Sequence, residues 1–300
     1  MITRSSRQKV IVAVGAILVT LAAAACTPET PPSTTTSTTA QVFTPAASFS
    51  ATTGLAQVGS TVTVTGTGFN PALVDGPVTG IYVAIGIGSG PVPTAYTSAK
   101  FIRPSGPETE TAAGAKLQSN GTFSATIATP ALFSAQGQAI NCYIDACKVF
   151  VWSEHTGSLS SWNFAAPVSF AAATTKQVVV SKTSDLNRDG ETVTVTGAGF
   201  AASAPGIYVG QLPWSAATAP AGWNLDAAAW GPTKYLAFPS GLSAAGTFRT
   251  TIDTLAVIGT SNTDCSVSSC SIATVKAHGQ ADPTGALTSW TPITFAAPAA

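Results

Sequence analysis

The chain has 300 residues, with 13 Lys and Arg against 13 Asp and Glu, and only 9% of its residues are charged. Such sparse and balanced charge excludes the clustered cations on which nucleic-acid binding depends. Hydrophobic residues make up 45% of the chain, too many for a protein that is disordered throughout. The 27 Gly and 20 Pro favour short strands and frequent turns over long helices. We therefore expect an all-β protein.

The first 25 residues have the pattern of an export signal. Arg4, Arg7 and Lys9 precede an apolar run at residues 10–21, which is short for a membrane span and typical of a signal peptide. Small residues and then Cys26 follow, as in a bacterial lipobox. We predict a lipoprotein signal peptide at residues 1–25 and a diacylglycerol-modified Cys26. The alternative is ordinary signal-peptidase cleavage with an unmodified Cys26.

A tract rich in Thr, Pro and Ser follows Cys26 and shows no apolar periodicity. Such a composition cannot pack into a core, so residues 26–50 are predicted to be a disordered, flexible tether. Together with the lipid on Cys26, the tether would hold a folded protein on the extracellular face of a bacterial membrane.

The rest of the chain repeats itself. The run TVTVTGTGF at residues 61–69 recurs as TVTVTGAGF at residues 192–200, and GIYV occurs at residues 80–83 and again at 206–209. Each copy also contains a C-x4-C pair, a later His and a Ser-Trp pair. These matches predict two modules, at residues 51–171 and 177–296.

Within each copy, apolar and polar residues alternate with period two. Val62 and Val64 alternate with Thr, as in a strand with one buried face. Short strands, frequent turns and modules of about 120 residues are typical of β-sandwiches. We predict two tandem immunoglobulin-like Greek-key β-sandwiches.

The C-x4-C pairs, Cys142 with Cys147 and Cys265 with Cys270, are compatible with metal binding or with disulfides. A four-ligand metal site would need further Cys or His, and each module has one His. Export favours oxidation, so we predict one disulfide in each pair.

The second copy resembles the neocarzinostatin-type apoproteins through residues 190–200, residues 207–211 and the late C-x4-C pair. That resemblance implies a seven-stranded immunoglobulin-like sandwich and a cleft for a hydrophobic chromophore. Trp214 matches an aromatic residue of that cleft. Leu212 stands where the family has a cysteine, and Ser271 stands where Gln is common, so the resemblance implies the fold more than the ligand.

An aromatic-rich insertion in the second copy is the predicted ligand site. Trp214, Trp223 and Trp230 lie in it, with Tyr235 and Phe238. Aromatic walls with a few polar groups suit a flat apolar ligand, so we expect Trp214, Trp223 and Trp230 to bind it above Ser271. The alternative is that these aromatics cover one end of the sandwich and bind nothing.

Two further features are compatible with a cofactor or a metal. His155 and His278 occupy equivalent positions, and either could ligate haem or a metal, although no Tyr lies near them in the sequence. A vaguer likeness to immunoglobulin-like domains of haem-transport surface proteins points the same way. Asp185, Asn187 and Asp189 match the first half of a calcium loop, but an Asp/Gly turn leading into a strand explains them as well. We expect no cofactor.

The sequence shows no hydrolase motif, so we do not expect an enzyme. The leading hypothesis is a cell-surface lipoprotein that binds a hydrophobic small molecule or a protein partner whose identity the sequence does not indicate. A structural spacer without a ligand and a haem-binding surface protein are the alternatives.

Overall fold

The computed structural model describes residues 41–74, 80–104, 115–153, 159–217 and 229–297. The predicted signal peptide, Cys26 and most of the predicted tether lie outside these residues. In the part of the chain that is described, no helix is long and apolar enough to cross a membrane.

The first module consists of two antiparallel sheets and a hairpin. Its strands are β1 Ala46–Phe49, β2 Thr61–Thr67, β3 Ile81–Ile87, β4 Ala95–Ile102, β5 Phe123–Ala128, β6 Leu132–Ala135, β7 Gln138–Asn141, β8 Cys147–Ser153 and β9 Phe164–Pro167. Strands β1, β2 and β5 form one sheet in the order β1-β2-β5, strands β3, β4, β8 and β9 form the other in the order β4-β3-β8-β9, and β6 pairs with β7.

The second module repeats this arrangement. Its sheets have the orders β10-β11-β14 and β13-β12-β17-β18, with β15 paired to β16. The strands are β10 Gln177–Val180, β11 Glu191–Ala198, β12 Gly206–Leu212, β13 Thr233–Ala237, β14 Phe248–Thr254, β15 Val257–Ile258, β16 Thr263–Asp264, β17 Cys270–Lys276 and β18 Ser289–Ile293. The prediction of an all-β chain with two tandem immunoglobulin-like sandwiches is confirmed.

Strand β1 begins earlier than the first module was expected to. Residues Ala46–Phe49 pair with the end of β2, although the sequence analysis gave residues 26–50 to the tether. Backbone pairing with β2 satisfies the hydrogen-bonding groups of this segment, which is too short to show an alternating pattern in the sequence.

Each module has its own hydrophobic core. Val62 and Val64 are fully buried in the first core, and Val193 and Val195 occupy the same positions in the second. The Thr residues between them point away from the core, as the period-two alternation predicted.

The Gly of the repeated TVTVTG run makes room for an aromatic ring. A Cβ at Gly66 would lie 2.0 Å from the Phe123 ring, and a Cβ at Gly197 would lie 2.4 Å from the Phe248 ring. The motif therefore recurs because each first sheet packs a Phe of its third strand over the backbone of its central strand.

The two modules contact one another through a mixed interface. Leu132 of hairpin β6–β7 belongs to an apolar cluster with Ala198 of β11, and Val179 packs against the same cluster. The Asn141 amide, fully buried, donates to Thr196 Oγ1 and to the Gly197 carbonyl, both at 3.0 Å.

An ion pair and a glutamine also contribute to this interface. Arg249 donates to both carboxylate oxygens of Asp145, at 2.8 and 2.5 Å, and to the Ala139 carbonyl at 3.1 Å. Gln57 exchanges two hydrogen bonds with the backbone of Thr175, at 2.7 and 3.0 Å. The link between the modules is therefore held by side chains of both.

Candidate functional site in the second module

The four late cysteines form two disulfides. Cys142 bonds Cys147 with an S–S distance of 2.01 Å, and Cys265 bonds Cys270 at 2.02 Å. Each bridge joins the end of a hairpin to the first residue of the next strand. The disulfide prediction is confirmed, and these thiols are not metal ligands.

His278 lies among tyrosines that are distant from it in the sequence. Its ring centroid is 4.9 Å from that of Tyr235 and 5.8 Å from that of Tyr208, and its Nδ1 atom is 3.3 Å from the Tyr208 hydroxyl. The expectation that no Tyr is near this His holds only along the chain, because pairing of β12 with β13 and β17 brings both tyrosines to it.

The other predicted metal residues do not converge. His155 lies outside the described residues. Within the ranges that the structure describes, no group of three or more His, Cys, Asp or Glu could hold a metal ion. At the calcium-like segment, Asn187 Oδ1 accepts the Asp189 amide at 3.0 Å, and the Glu191 carboxylate is paired with Lys182 at 2.8 Å. This segment forms a turn that leads into β11.

The second sheet of the second module turns one face away from the core. Ile207, Val209 and Ile272 point into the core, so the alternating residues of β12 and β17 lie on the opposite side. We call this side the outer face of module 2. It is lined by Tyr208, Gly210 and Leu212 of β12 and, directly across from them, Val275, Ala273 and Ser271 of β17.

In the first module the equivalent face is filled with aromatic rings. Phe150 and Trp152 of β8 lie there, opposite Ala84 and Tyr82, and both are at most 1% exposed. Trp152 stacks on Tyr82 with a centroid distance of 5.2 Å, and Tyr96 meets Trp152 edge-on. In the second module the positions of Phe150 and Trp152 are taken by Ala273 and Val275.

Two polar atoms on or beside the outer face of module 2 lack partners among the residues that the structure describes. Ser271 is fully buried and its Oγ makes no hydrogen bond within those residues, and the buried Nε1 of Trp230 makes none there either. The Trp230 ring packs edge-on against Tyr208 at 5.8 Å. An unpaired buried donor costs about 1–3 kcal/mol. Among the described residues, this face therefore carries two unmatched hydrogen-bonding groups, and the first module has Lys148 at the position of Ser271.

The predicted site residues are partly brought together. Trp230 and Ser271 lie at the same sheet, and Trp214 is half-buried two residues after β12, whose last residue, Leu212, pairs with Ser271. Trp223 lies outside the described residues. Tyr208 and Ala273 were not predicted from the sequence. Aligning the two copies along β8 and β17 would have found Ala273, because it stands where the first copy has Phe150.

No protein-family model and no curated protein matches the chain. Among solved structures, an adhesin of Yersinia pseudotuberculosis, InvE, is 13% identical with a TM-score of 0.23; the match covers 84% of this chain and 58% of the adhesin. The ectodomain of a teleost fish polymeric Ig receptor is 12% identical with a TM-score of 0.24, over 85% of this chain and all of the receptor chain. An Escherichia coli alpha-2-macroglobulin activated by porcine elastase is 14% identical with a TM-score of 0.20, over 84% of this chain and 20% of that one.

Proposed function

We propose that the chain is a non-enzymatic cell-surface lipoprotein whose second module binds an uncharged, flat hydrophobic small molecule on the outer face of module 2. The observation that carries the proposal is the replacement of two packed aromatic residues, Phe150 and Trp152, by Ala273 and Val275 in the second copy. On the neighbouring strand the exchange runs the other way, because Trp290 of β18 pairs with Ala273 where Ala165 pairs with Phe150 in the first module. Two rings of the central strand are thus replaced by one Trp of the edge strand, and a ligand ring can stack there only when the side chains that cover Ala273 and Val275 move.

The polar atoms define the ligand further. Trp230 Nε1–H is a donor only, and the Ser271 hydroxyl can donate or accept. The lining residues Tyr208, Leu212, Ser271 and Ala273 carry no charge. A ligand that presents a carbonyl or ether oxygen beside a fused ring system would satisfy both groups without burying a charge.

The resemblance to the neocarzinostatin-type apoproteins supports the same face, because that family holds its chromophore against this side of the sandwich. The departures at Leu212 and Ser271 mean that the ligand differs from that chromophore. Since Leu212 and Ser271 are fully buried, a ligand reaches them only after the side chains above them move.

Binding can be tested with the full chain and two probes, acridone, which has a carbonyl, and anthracene, which has none. We expect acridone to quench tryptophan fluorescence saturably and anthracene to bind at least tenfold more weakly. Ala273→Phe, which restores the ring of the first module, should abolish saturable quenching. Val267→Phe, a change at a side chain that is 83% exposed in the same module, is the control and should leave it intact. Equal quenching of Ala273→Phe and the unmodified chain would refute the proposal.

Membrane anchoring is a separate part of the proposal. It is supported by the lipobox-like position of Cys26 and by the odd cysteine count, since the other four cysteines are paired with one another. Cys26→Ser should move the protein from the membrane fraction to the medium and remove the mass of the lipid. Retention of the variant in membranes would contradict a lipid anchor.

A spacer without a ligand is the second candidate, and the interface between the modules favours it. Asn141, Asp145 and Gln57 fix the link through buried or charge-assisted hydrogen bonds, as a rigid stalk requires. A chain that binds neither probe but depends on these contacts for its stability would be assigned this role.

A further inference from the structure

The far end of the second module exposes apolar side chains. Leu255, Val257 and Val267 are 40%, 46% and 83% exposed. They lie at the base of hairpin β15–β16, in β15 itself and in the loop closed by Cys265 and Cys270. We call this surface, with the adjoining Arg188 and Asp264, the distal end. Neighbouring exposed aliphatic residues of this kind mark interaction surfaces.

The equivalent surface of the first module contacts the second module of the same chain. The Cys142 amide donates to the Ala131 carbonyl at 2.8 Å, and the Cys265 amide donates to the Ala256 carbonyl at 2.7 Å, so hairpins β6–β7 and β15–β16 are structural equivalents. Val257 therefore occupies the position of Leu132. Leu132 is only 7% exposed, because it packs in the cluster with Ala198 of the second module.

The surface that receives Leu132 also has an equivalent, on the first module. Thr196, Gly197 and Ala198 of β11 correspond to Thr65, Gly66 and Thr67 of β2, since both segments pair with the first strand of their module in the same register. Thr65 and Thr67 are exposed. We call Thr65, Gly66, Thr67, the adjacent Ser48 of β1 and Ser124 of β5 the proximal end.

The charges of the two ends fit this pairing. At the interface between the two modules of one chain, Asp145 of the first module pairs with Arg249 of the second. Their equivalents are Ser268 and Ser124, so the acid and the base are both replaced by hydroxyls and neither end would bury an unpaired charge. Asp264, in the place of Asn141, is paired with Arg188 at 3.4 Å and can accept a hydrogen bond from Thr65. It cannot donate to the Gly66 carbonyl as Asn141 donates to the Gly197 carbonyl, so this hydrogen bond has no counterpart in the contact.

We propose that copies of this chain associate end to end, with the distal end of one copy docking on the proximal end of the next, as the first module docks on the second within each copy. This contact joins two different surfaces, so each copy can bind one neighbour at either end, and the rotation between neighbours decides whether the copies form an open row or a closed ring.

Cysteine cross-linking on cells tests the contact with the full chain. A Val257→Cys, Thr67→Cys double variant places a thiol at each end, at the positions of Leu132 and Ala198. We expect a ladder of disulfide-linked dimers, trimers and longer species on a non-reducing gel. Each single variant should remain monomeric, because its thiol faces an unchanged Val257 or Thr67. Mixing the two single variants in one cell should give dimers only.

Association without new thiols provides an independent measurement. In sedimentation of the detergent-solubilised chain, Val257→Asp should lower the association constant at least tenfold, whereas Val58→Asp, at a side chain that is 58% exposed elsewhere, should not change it. A monomeric double-cysteine variant would overturn the proposal. Efficient dimers of Val257→Cys alone would overturn it too, because they would show that like ends meet.

Discussion

Asn141 is the residue on which the contact between the modules most depends. Its side chain is fully buried and donates to Thr196 Oγ1 and the Gly197 carbonyl. Asn141→Ala leaves these acceptors without their donor, so we expect the free energy of unfolding to fall by about 1–3 kcal/mol in urea titrations. Ser134→Ala is the matched control, because its bond to the Ser181 carbonyl is exposed; its effect should stay within about 0.5 kcal/mol. Equal losses would show that Asn141 has no special role.

Residues whose partners lie nearby in the sequence could be predicted, and residues whose partners lie far away in the sequence could not. The C-x4-C spacing predicted both disulfides, because each bridge closes within five residues. Trp230 and Ser271 were singled out, and strand pairing brings them to one sheet. Nothing in the sequence indicated Asn141 as an interface residue, since its partners lie 55 and 56 residues away.

Hairpin β15–β16 has only two residues in each strand, so other contacts must hold it. The Gln211 side chain donates to the Leu255 carbonyl at 2.7 Å and accepts from the Leu255 backbone N–H at 2.9 Å, just before β15. The disulfide of Cys265 and Cys270 holds the chain directly after β16. Replacing both cysteines by Ser should cost about 2 kcal/mol, the loop entropy of a short bridge. Hydrogen exchange should quicken in β15 and β16 and stay unchanged in β6 and β7. Faster exchange in both hairpins would mean that the effect is not local.

The long strands could be predicted from the sequence, and the short strands could not. The alternating runs of β2, β5 and β11 cover six to eight residues, enough for period two to be visible. Strand β1 has only four residues, too few to show the alternation, and was assigned to the tether. The outer face of module 2 is a property of paired strands, and only the alignment of the two copies shows that the rings of β8 have no counterpart in β17.

At the scale of the whole molecule, the ion pair of Asp145 and Arg249 should make the coupling between the modules sensitive to acid. Burial by itself raises the pKa of Asp145. Hydrogen bonds from the Arg249 side chain and from the backbone N–H of Asn141, together with the positive charge of Arg249, outweigh burial and lower this pKa below its ordinary value. A carboxylate with a lowered pKa contributes stability that is present above its ordinary pKa of about 3.9 and lost as the pH falls through the lowered value.

We therefore expect Asp145→Asn to lower the free energy of unfolding by about 1–2 kcal/mol at neutral pH, a modest figure because solvent partly screens the pair. The difference from the unmodified chain should stay constant down to about pH 4 and shrink below it. In calorimetry at neutral pH, the variant should resolve two unfolding transitions where the unmodified chain shows one. Glu191→Gln is the control, because its pair with Lys182 lies within one module and should leave the coupling intact. A gap between Asp145→Asn and the unmodified chain that persists well below pH 4 would show that the carboxylate charge does not couple the modules.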